Sequence, residues 1–275
     1  MKMTETTGKK AVLITGAAGG MGRAAVKEFL SEGYRVFGLD IREPEGAEGF
    51  TFIKTDLTDG ASVEAAAEKL RDAGVKLDLI VNMAGMYDLD SLVEMDEAAF
   101  SRIFDVNLFS DFRVNKAFLP LLGPKGRIII VSSELAPLDP LPFTGIYAIT
   151  KTAVESYAYS LRMELQLLGH PVIVIRPGAV DTGLLDVSTK RLDDFIETTK
   201  LYPFNAKRFK SIVGKVEARK IPPERIAALA VKAARARRPR YVYKINRNPL
   251  LLILNAMPRR LQNFAIRKIL ENRDR

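Results

Sequence analysis

Residues 10–22 read Lys-Ala-Val-Leu-Ile-Thr-Gly-Ala-Ala-Gly-Gly-Met-Gly. An apolar run with β-branched residues gives way to a glycine-rich turn, and residues 21–32 then follow a helical pattern. This order dictates a strand, a tight turn and a helix. Glycine lets the backbone turn sharply and approach a ligand with no side chain in between. A helix that opens at such a turn aims its unpaired N–H groups into it, where an anion such as a pyrophosphate is favoured. The glycines alone are weak evidence, because any sharp turn takes glycine. Their place between strand and helix gives them meaning.

The same alternation continues along the chain. Residues 35–39, 51–54, 77–81, 127–131 and 172–176 read as further strands, with a seventh candidate at 240–243. Helical patterns cover 59–73, 96–107, 108–122 and 147–168, and Pro222-Pro223-Glu224 starts another with proline in its first turn. Gly123-Pro124 reads as the stop of the helix over 108–122. The strands are rich in Val, Ile and Leu without clean alternation, as expected when helices cover both faces. The predicted class is α/β: a doubly wound parallel sheet (a Rossmann fold) with right-handed crossovers, in a single domain. Residues 183–220 break the rhythm and are helical only in places.

Composition narrows the chemistry. The 275 residues are 47% hydrophobic and 27% charged, with no cysteine and one histidine. Disulfides, thiol nucleophiles and thiolate metal sites are excluded together. His170 reads as a loop residue, and no metal site is expected. Residues 1–10 lack the apolar core of a signal peptide, and no apolar run approaches the ~20 residues needed to span a membrane. A cytoplasmic protein is expected. The net charge of +9 is uneven: residues 232–275 hold 13 Lys and Arg against 2 acids, and the rest 29 against 31. The basicity belongs to the tail, so nucleic acid is not an expected partner of the body.

Two further positions carry chemistry. Asp40 follows the second strand, where a carboxylate can accept both ribose hydroxyls of NAD and repel a 2′-phosphate. NAD is therefore expected rather than NADP. Asp56 and Leu57, after the third strand, are placed to meet an adenine edge, with loop capping as an equal alternative for Asp56. Tyr147 and Lys151 stand four apart on one helix face. A phenol is a poor base near neutrality, because its reference pKa is about 10. A neighbouring ammonium favours the phenolate.

With Thr15–Gly22, Asp40, Asn82-Met-Ala-Gly85, Asn107, Ser133, Tyr147-x-x-x-Lys151 and Arg176-Pro-Gly178 in this order, the chain resembles the short-chain dehydrogenase/reductase family. The resemblance is dense over residues 9–182. It implies an NAD(P)-dependent alcohol dehydrogenase or ketone reductase, with residues 1–248 as the catalytic domain. Tyr147 would be the general acid/base. Lys151 would bind the nicotinamide ribose and lower the phenol pKa. Ser133 would hold the substrate oxygen, and Asn107 a water that links Lys151 to solvent. Gly16, Gly20, Met21 and Gly22 would line the pyrophosphate and adenosine side. Asn82, Ala84 and Gly85 would run along the ribose, while Pro177, Gly178, Val180 and Thr182 approach the nicotinamide. Two departures stand out. Met83 replaces the family's second asparagine, and the spacing from Ser133 to Tyr147 is one residue long, which makes Ser132 a rival for the serine role.

The loop over 135–143 is apolar, stiffened by prolines, and expected to line the substrate pocket. Glu134, Leu135, Phe143 and Leu184 are the candidate substrate residues, and Met86, Tyr87 and Leu89 candidate walls. Residues 183–220 are the expected lid. An apolar pocket with one polar end suits a bulky lipophilic ketone or secondary alcohol, such as a hydroxysteroid. A small carbonyl or 3-oxoacyl thioester is the alternative substrate, and an NAD(H)-sensing binding protein the alternative outside enzymes. Residues 249–275 form a basic amphipathic tail, broken at Pro258. Three roles fit it: a helix across the substrate mouth, a subunit contact, or peripheral contact with an anionic membrane. The family resemblance implies a homodimer or homotetramer formed through the helices before and after Ser133.

Overall fold

The computed structural model describes residues 8–44, 49–217 and 219–271, with no side-chain description for 184–189 and 214–217. Seven parallel strands form one sheet in the order β3-β2-β1-β4-β5-β6-β7. They are β1 (Ala11–Thr15), β2 (Arg35–Asp40), β3 (Thr51–Lys54), β4 (Leu77–Asn82), β5 (Leu122–Val131), β6 (Val172–Pro177) and β7 (Val242–Ile245). The chain winds outward from β1 in one direction through β2 and β3, then returns beside β1 at β4 and proceeds the other way. The crevice at this reversal, at the carboxyl ends of the strands, is where such sheets bind ligands.

Helices α1 (Gly20–Ser31) and α8 (Glu224–Arg235) cover one face of the sheet. Their buried side chains, among them Phe29 and Ala230, join Val12, Ile14, Ile129 and Ile173 in one core. Helices α2 (Gly60–Asp72), α4 (Ser110–Phe118) and α5 (Gly145–Leu165) cover the other face, where Ala67, Phe118 and Val154 pack on Leu13, Ile80 and Ile128. Neighbouring strand residues thus enter opposite cores, and both must be apolar. This is why the strands show no alternation in the sequence.

Several boundaries differ from the sequence reading. The helices expected at 96–107 and 108–122 are one continuous run: α3 (Glu97–Phe104), a π-helical turn at Asp105–Phe109, then α4. Gly123-Pro124 does not end a helix. It lies inside β5, which begins at Leu122 and pairs with Leu77 before an irregularity in register. The last strand sits slightly later than residues 240–243. The mixed segment over 183–220 is two helices, α6 (Gly183–Thr198) and α7 (Pro203–Glu217). They close over a satellite core of Leu89, Leu192, Phe195, Ala206, Phe209 and Leu270. The tail folds as α9 (Pro249–Ala256) and α10 (Arg259–Leu270), separated at Pro258 as expected.

Candidate active site

The carboxyl ends of β4, β5 and β6 and the first turns of α5 enclose a cavity of about 140 Å³. Tyr147 and Lys151 line it from α5, and Ser133 from the loop after β5. The Lys151 Nζ donates to the Val131 carbonyl at 3.2 Å and lies 5.9 Å from the centre of the Tyr147 ring. The Ser133 hydroxyl acts on the Tyr147 phenol to lower its pKa and accepts from the Leu135 N–H at 3.2 Å. Ser132 is buried and its hydroxyl has no partner among the described residues. Both serines line the cavity, and Ser133 is the one whose hydroxyl acts on the Tyr147 phenol.

Burial pushes the Tyr147 phenol up to about 12, aided by the Glu134 charge and opposed by the Ser133 hydroxyl. Burial pulls the Lys151 ammonium below its ordinary value, while Asp111 and Glu155 push it back. In this state the phenol holds its proton, so it is poised to donate one to an oxygen in the cavity.

Asn107 sits on the π turn, fully buried. Its Oδ1 accepts from the Met86 N–H at 2.7 Å. Its Nδ2 donates to the Met86 carbonyl and to the Thr150 hydroxyl, each at 3.0 Å. A Cβ on Gly85 would come within 3.3 Å of Asn107 Oδ1 and 3.4 Å of Lys151 Nζ. Asn107 and Lys151 therefore meet beside Gly85, with Lys151 and Gly85 lining the cavity and Asn107 behind them. Asp111 and Asn115 follow at successive turns along the same helical face, both buried. Asn115 donates to Tyr157 Oη at 3.1 Å and accepts from Asn82 Nδ2 at 2.8 Å. Asn82 thus turns its side chain away from the cavity and into the α4–α5 interface.

The dinucleotide cleft is built from the opening turn. Gly16 has φ +68°, and a Cβ there would press within 2.9 Å of the Ala84 Cα. A Cβ on Gly22 would fall 1.9 Å from the Gly16 carbonyl oxygen. The turn is closed so tightly that only glycine fits at either place. Thr15 Oγ1 accepts from the N–H groups of Met83 and Ala84 at 2.9 and 3.1 Å, which fixes the end of β4 against β1. Helix α1 has no side-chain cap at its start, so its first-turn N–H groups remain for an anion. Asp40 ends β2 and accepts from Ala18 N at 3.0 Å and Arg42 N at 3.1 Å. Met21, Ala84, Gly85 and Val180 line the cavity, as do Pro177, Gly178 and Thr182. Gly20 lies against the Thr182 side chain. These residues fit a nicotinamide dinucleotide. Asp56 and Leu57 lie apart from the cavity. Asp56 Oδ1 accepts from both the N–H and the hydroxyl of Thr58, and these bonds lower its pKa. Asp56 thus caps its own loop. Leu57 packs on the core beneath α2 and α4.

The comparisons agree with this geometry. The family model described as short chain dehydrogenase matches residues 10–193. This chain belongs to that family. It is 26% identical to a 3-ketodihydrosphingosine reductase of Bacteroides thetaiotaomicron, over 93% of this chain and 96% of that one. It is 35% identical to estradiol 17-beta-dehydrogenase 2 of Mus musculus, over 64% of this chain but only 49% of that protein. A short chain dehydrogenase family protein from Francisella tularensis superposes with a TM-score of 0.72 at 22% identity, covering 86% of this chain and 97% of the other. The protein is thus an oxidoreductase of the short-chain dehydrogenase family, whose members use NAD(H) or NADP(H).

The substrate side of this short-chain dehydrogenase departs most from the sequence reading. Glu134 and Leu135 line the cavity, but the rest of the 135–143 loop does not. Phe143 adopts φ +64° and turns its ring away, among Phe195, Tyr202 and Phe209 of the lid helices. There it joins Pro140, Leu141 and Pro142 on a separate open cleft of about 700 Å³ beneath α7 and α10. Leu184 lies on α6, but its side chain is outside the described residues. Met86 and Tyr87 line the cavity as expected, and Met83 and Leu251 add to its apolar wall, whereas Leu89 packs in the satellite core. Tyr87 packs edge-on against Tyr147, with ring centres 4.6 Å apart.

Leu251 comes from α9, the role across the substrate mouth among those open to the tail. Glu134 anchors that helix. Its buried Oε2 accepts from Asn248 N at 2.7 Å, and burial raises its carboxyl pKa. Asp139 N donates to Asn255 Oδ1 at 2.7 Å, a second tie from the same loop. No short-range spacing could have joined residues more than a hundred positions apart. Asp111 and Asn115 had a signal, since they repeat Asn107 at helical intervals, but a polar stripe usually faces solvent.

Proposed function

We propose that this enzyme moves a hydride between NAD and a secondary alcohol or ketone on a bulky lipophilic molecule, a hydroxysteroid for preference. The observation that carries the reading is the meeting of Ser133, Tyr147 and Lys151 on one cavity whose walls include Met83, Met86, Leu135 and Leu251. The bound dinucleotide supplies or accepts the hydride, and the protein manages the proton and the fit. The Ser133 hydroxyl holds the substrate oxygen beside Tyr147. In ketone reduction the phenol donates its proton to that oxygen as charge develops there. In alcohol oxidation it must first lose that proton, against a pKa of about 12. The Lys151 ammonium would ease the loss, and a water held by Asn107 would link Lys151 to solvent. The Asp40 carboxylate, held by two backbone N–H groups, orients its free lone pairs toward ribose hydroxyls and repels a 2′-phosphate.

A second reading has its own support. The relative aligned along nearly its whole length is named for a long-chain keto lipid, 3-ketodihydrosphingosine, and such a chain also suits an apolar wall. A screen of hydroxysteroids, long-chain keto lipids and small carbonyls, followed by the absorbance of the reduced nicotinamide with NAD and NADP, separates these. Tyr147→Phe should lower turnover by roughly 10²–10⁴-fold while NADH binding, read by fluorescence, stays intact. Unchanged turnover would sink the mechanism. Asp40→Ala should erode the preference for NAD, and a wild type that prefers NADP would overturn the cofactor reading.

A further inference from the structure

We propose that the outer face of α9 and α10 docks this enzyme on an anionic lipid bilayer, with the mouth of its pocket beside the membrane. Five large apolar side chains project from these two helices: Leu250 and Ile253, each 63% exposed, Leu261 at 54%, Phe264 at 60% and Ile269 at 48%. They do not project because the tail is loose. Leu251, the neighbour of Leu250, is buried and lines the catalytic cavity. Asn205 Nδ2 of α7 donates to the Leu270 carbonyl at 2.7 Å, and Arg259 forms an ion pair with Asp139 of the substrate loop at 2.9 Å. One side of the tail is fixed to the active-site loop and the lid, and the other side presents hydrocarbon to solvent.

The charge around that hydrocarbon names the partner. Residues 244–271 carry Lys244, Arg247, Arg259, Arg260, Arg267 and Lys268 against Glu271 alone. Basic side chains flanking exposed Leu, Ile and Phe are what a helix needs to lie in the headgroup layer of an anionic leaflet. A second copy of the chain fits less well, because a two-fold contact would bring two basic faces together. Nucleic acid would satisfy the arginines and leave the leucines in water. Among the described residues no helix is long and apolar enough to cross a membrane, so the contact lies on the surface. Through Leu251 the docked face borders the pocket, which gives a lipophilic substrate a short path out of the bilayer. The docking itself holds whichever substrate the site takes.

The test is co-sedimentation of the full chain with vesicles of phosphatidylcholine mixed with phosphatidylglycerol, and with phosphatidylcholine alone. The wild type should pellet with the mixed vesicles, less so at high salt, and much less with the neutral ones. Leu261→Glu with Phe264→Glu should weaken binding at least ~10-fold, with circular dichroism and turnover of a water-soluble alcohol unchanged. Arg260→Glu with Lys268→Glu, which leaves every apolar side chain in place, should do the same and serves if the first pair misfolds. Wild type that stays in the supernatant overturns the proposal. So do variants that bind like wild type, retention on duplex DNA in place of vesicles, or a tail-dependent dimer that ignores lipid.

Discussion

Tyr147 and Asp111 show how burial sets charge at single residues. Tyr147, Lys151 and Ser133 were legible because each belongs to an ordered set of motifs, and the structure gathers them on one cavity. Asp111 was not legible: nothing in a helix's own sequence says that a second helix will cover its polar stripe. The residue is 4% exposed, and burial raises its carboxyl to about 7 from 3.8, opposed by the Lys151 charge. The sign for stability follows. Between the ordinary and the raised value the folded chain keeps a proton that the unfolded chain has released. Unfolding free energy therefore falls as pH climbs through that window, and the full stability lies below it. The loss reaches roughly 4 kcal/mol at most, at about 1.4 kcal/mol for each unit. Asp111→Asn should flatten this slope when urea unfolding is compared at pH values on either side of the window. A slope unchanged from wild type would show that the carboxyl is already ionised throughout.

At the scale of elements, the strands and α1 were legible because their periodicity is enforced by two cores. The lid was not. Among the described residues of this segment, Leu192, Phe195, Ala206 and Phe209 are buried against a small satellite cluster, so the apolar signal is diluted. The lid is held by carboxylates from the loop after β4. Asp88, buried, forms an ion pair with Arg191 of α6. Glu94 accepts from the Thr199 hydroxyl at 2.6 Å and from the N–H groups of Lys200 and Leu201 at 2.8 and 3.1 Å, which ties down the α6–α7 turn. A cavity of about 140 Å³ is smaller than the ~300–1,000 Å³ of most ligand pockets. If α6 and α7 move when substrate enters, Glu94 should bias that motion toward closure. Glu94→Ala should speed amide exchange at Lys200 and Leu201 and raise KM several-fold, with a smaller change in kcat. Equal loss of kcat and kcat/KM would instead place Glu94 in the chemistry.

For the whole molecule, the sheet order and its switch point were readable from the strand–helix rhythm, because a parallel sheet with short connections leaves few windings. What rhythm cannot report is which outer surfaces are finished. Besides the tail, α4 and α5 expose an apolar face: Phe109 and Phe112 along the first helical run, then Ile149, Tyr159 and Met163 along the second. These are the helices before and after Ser133. A two-fold contact here would set α4 and α5 of one copy against those of its partner, burying the same side chains twice. The groups proposed to carry the reaction lie on the same two runs, since Asn107 sits just before Phe109 and Phe112, and Tyr147 and Lys151 flank Ile149. Assembly and activity should therefore be coupled through the rigid helices themselves. Phe112→Glu with Met163→Glu places a charge on each helix of that face without touching the cavity. The mass by light scattering should drop to that of one chain, and turnover should fall several-fold because α5 loses its outer support while NADH still binds. A variant that keeps the wild-type mass would show that the chain assembles through another surface or not at all. A monomer with full turnover would show that the α4–α5 pair needs no partner to hold Tyr147 and Lys151 in register.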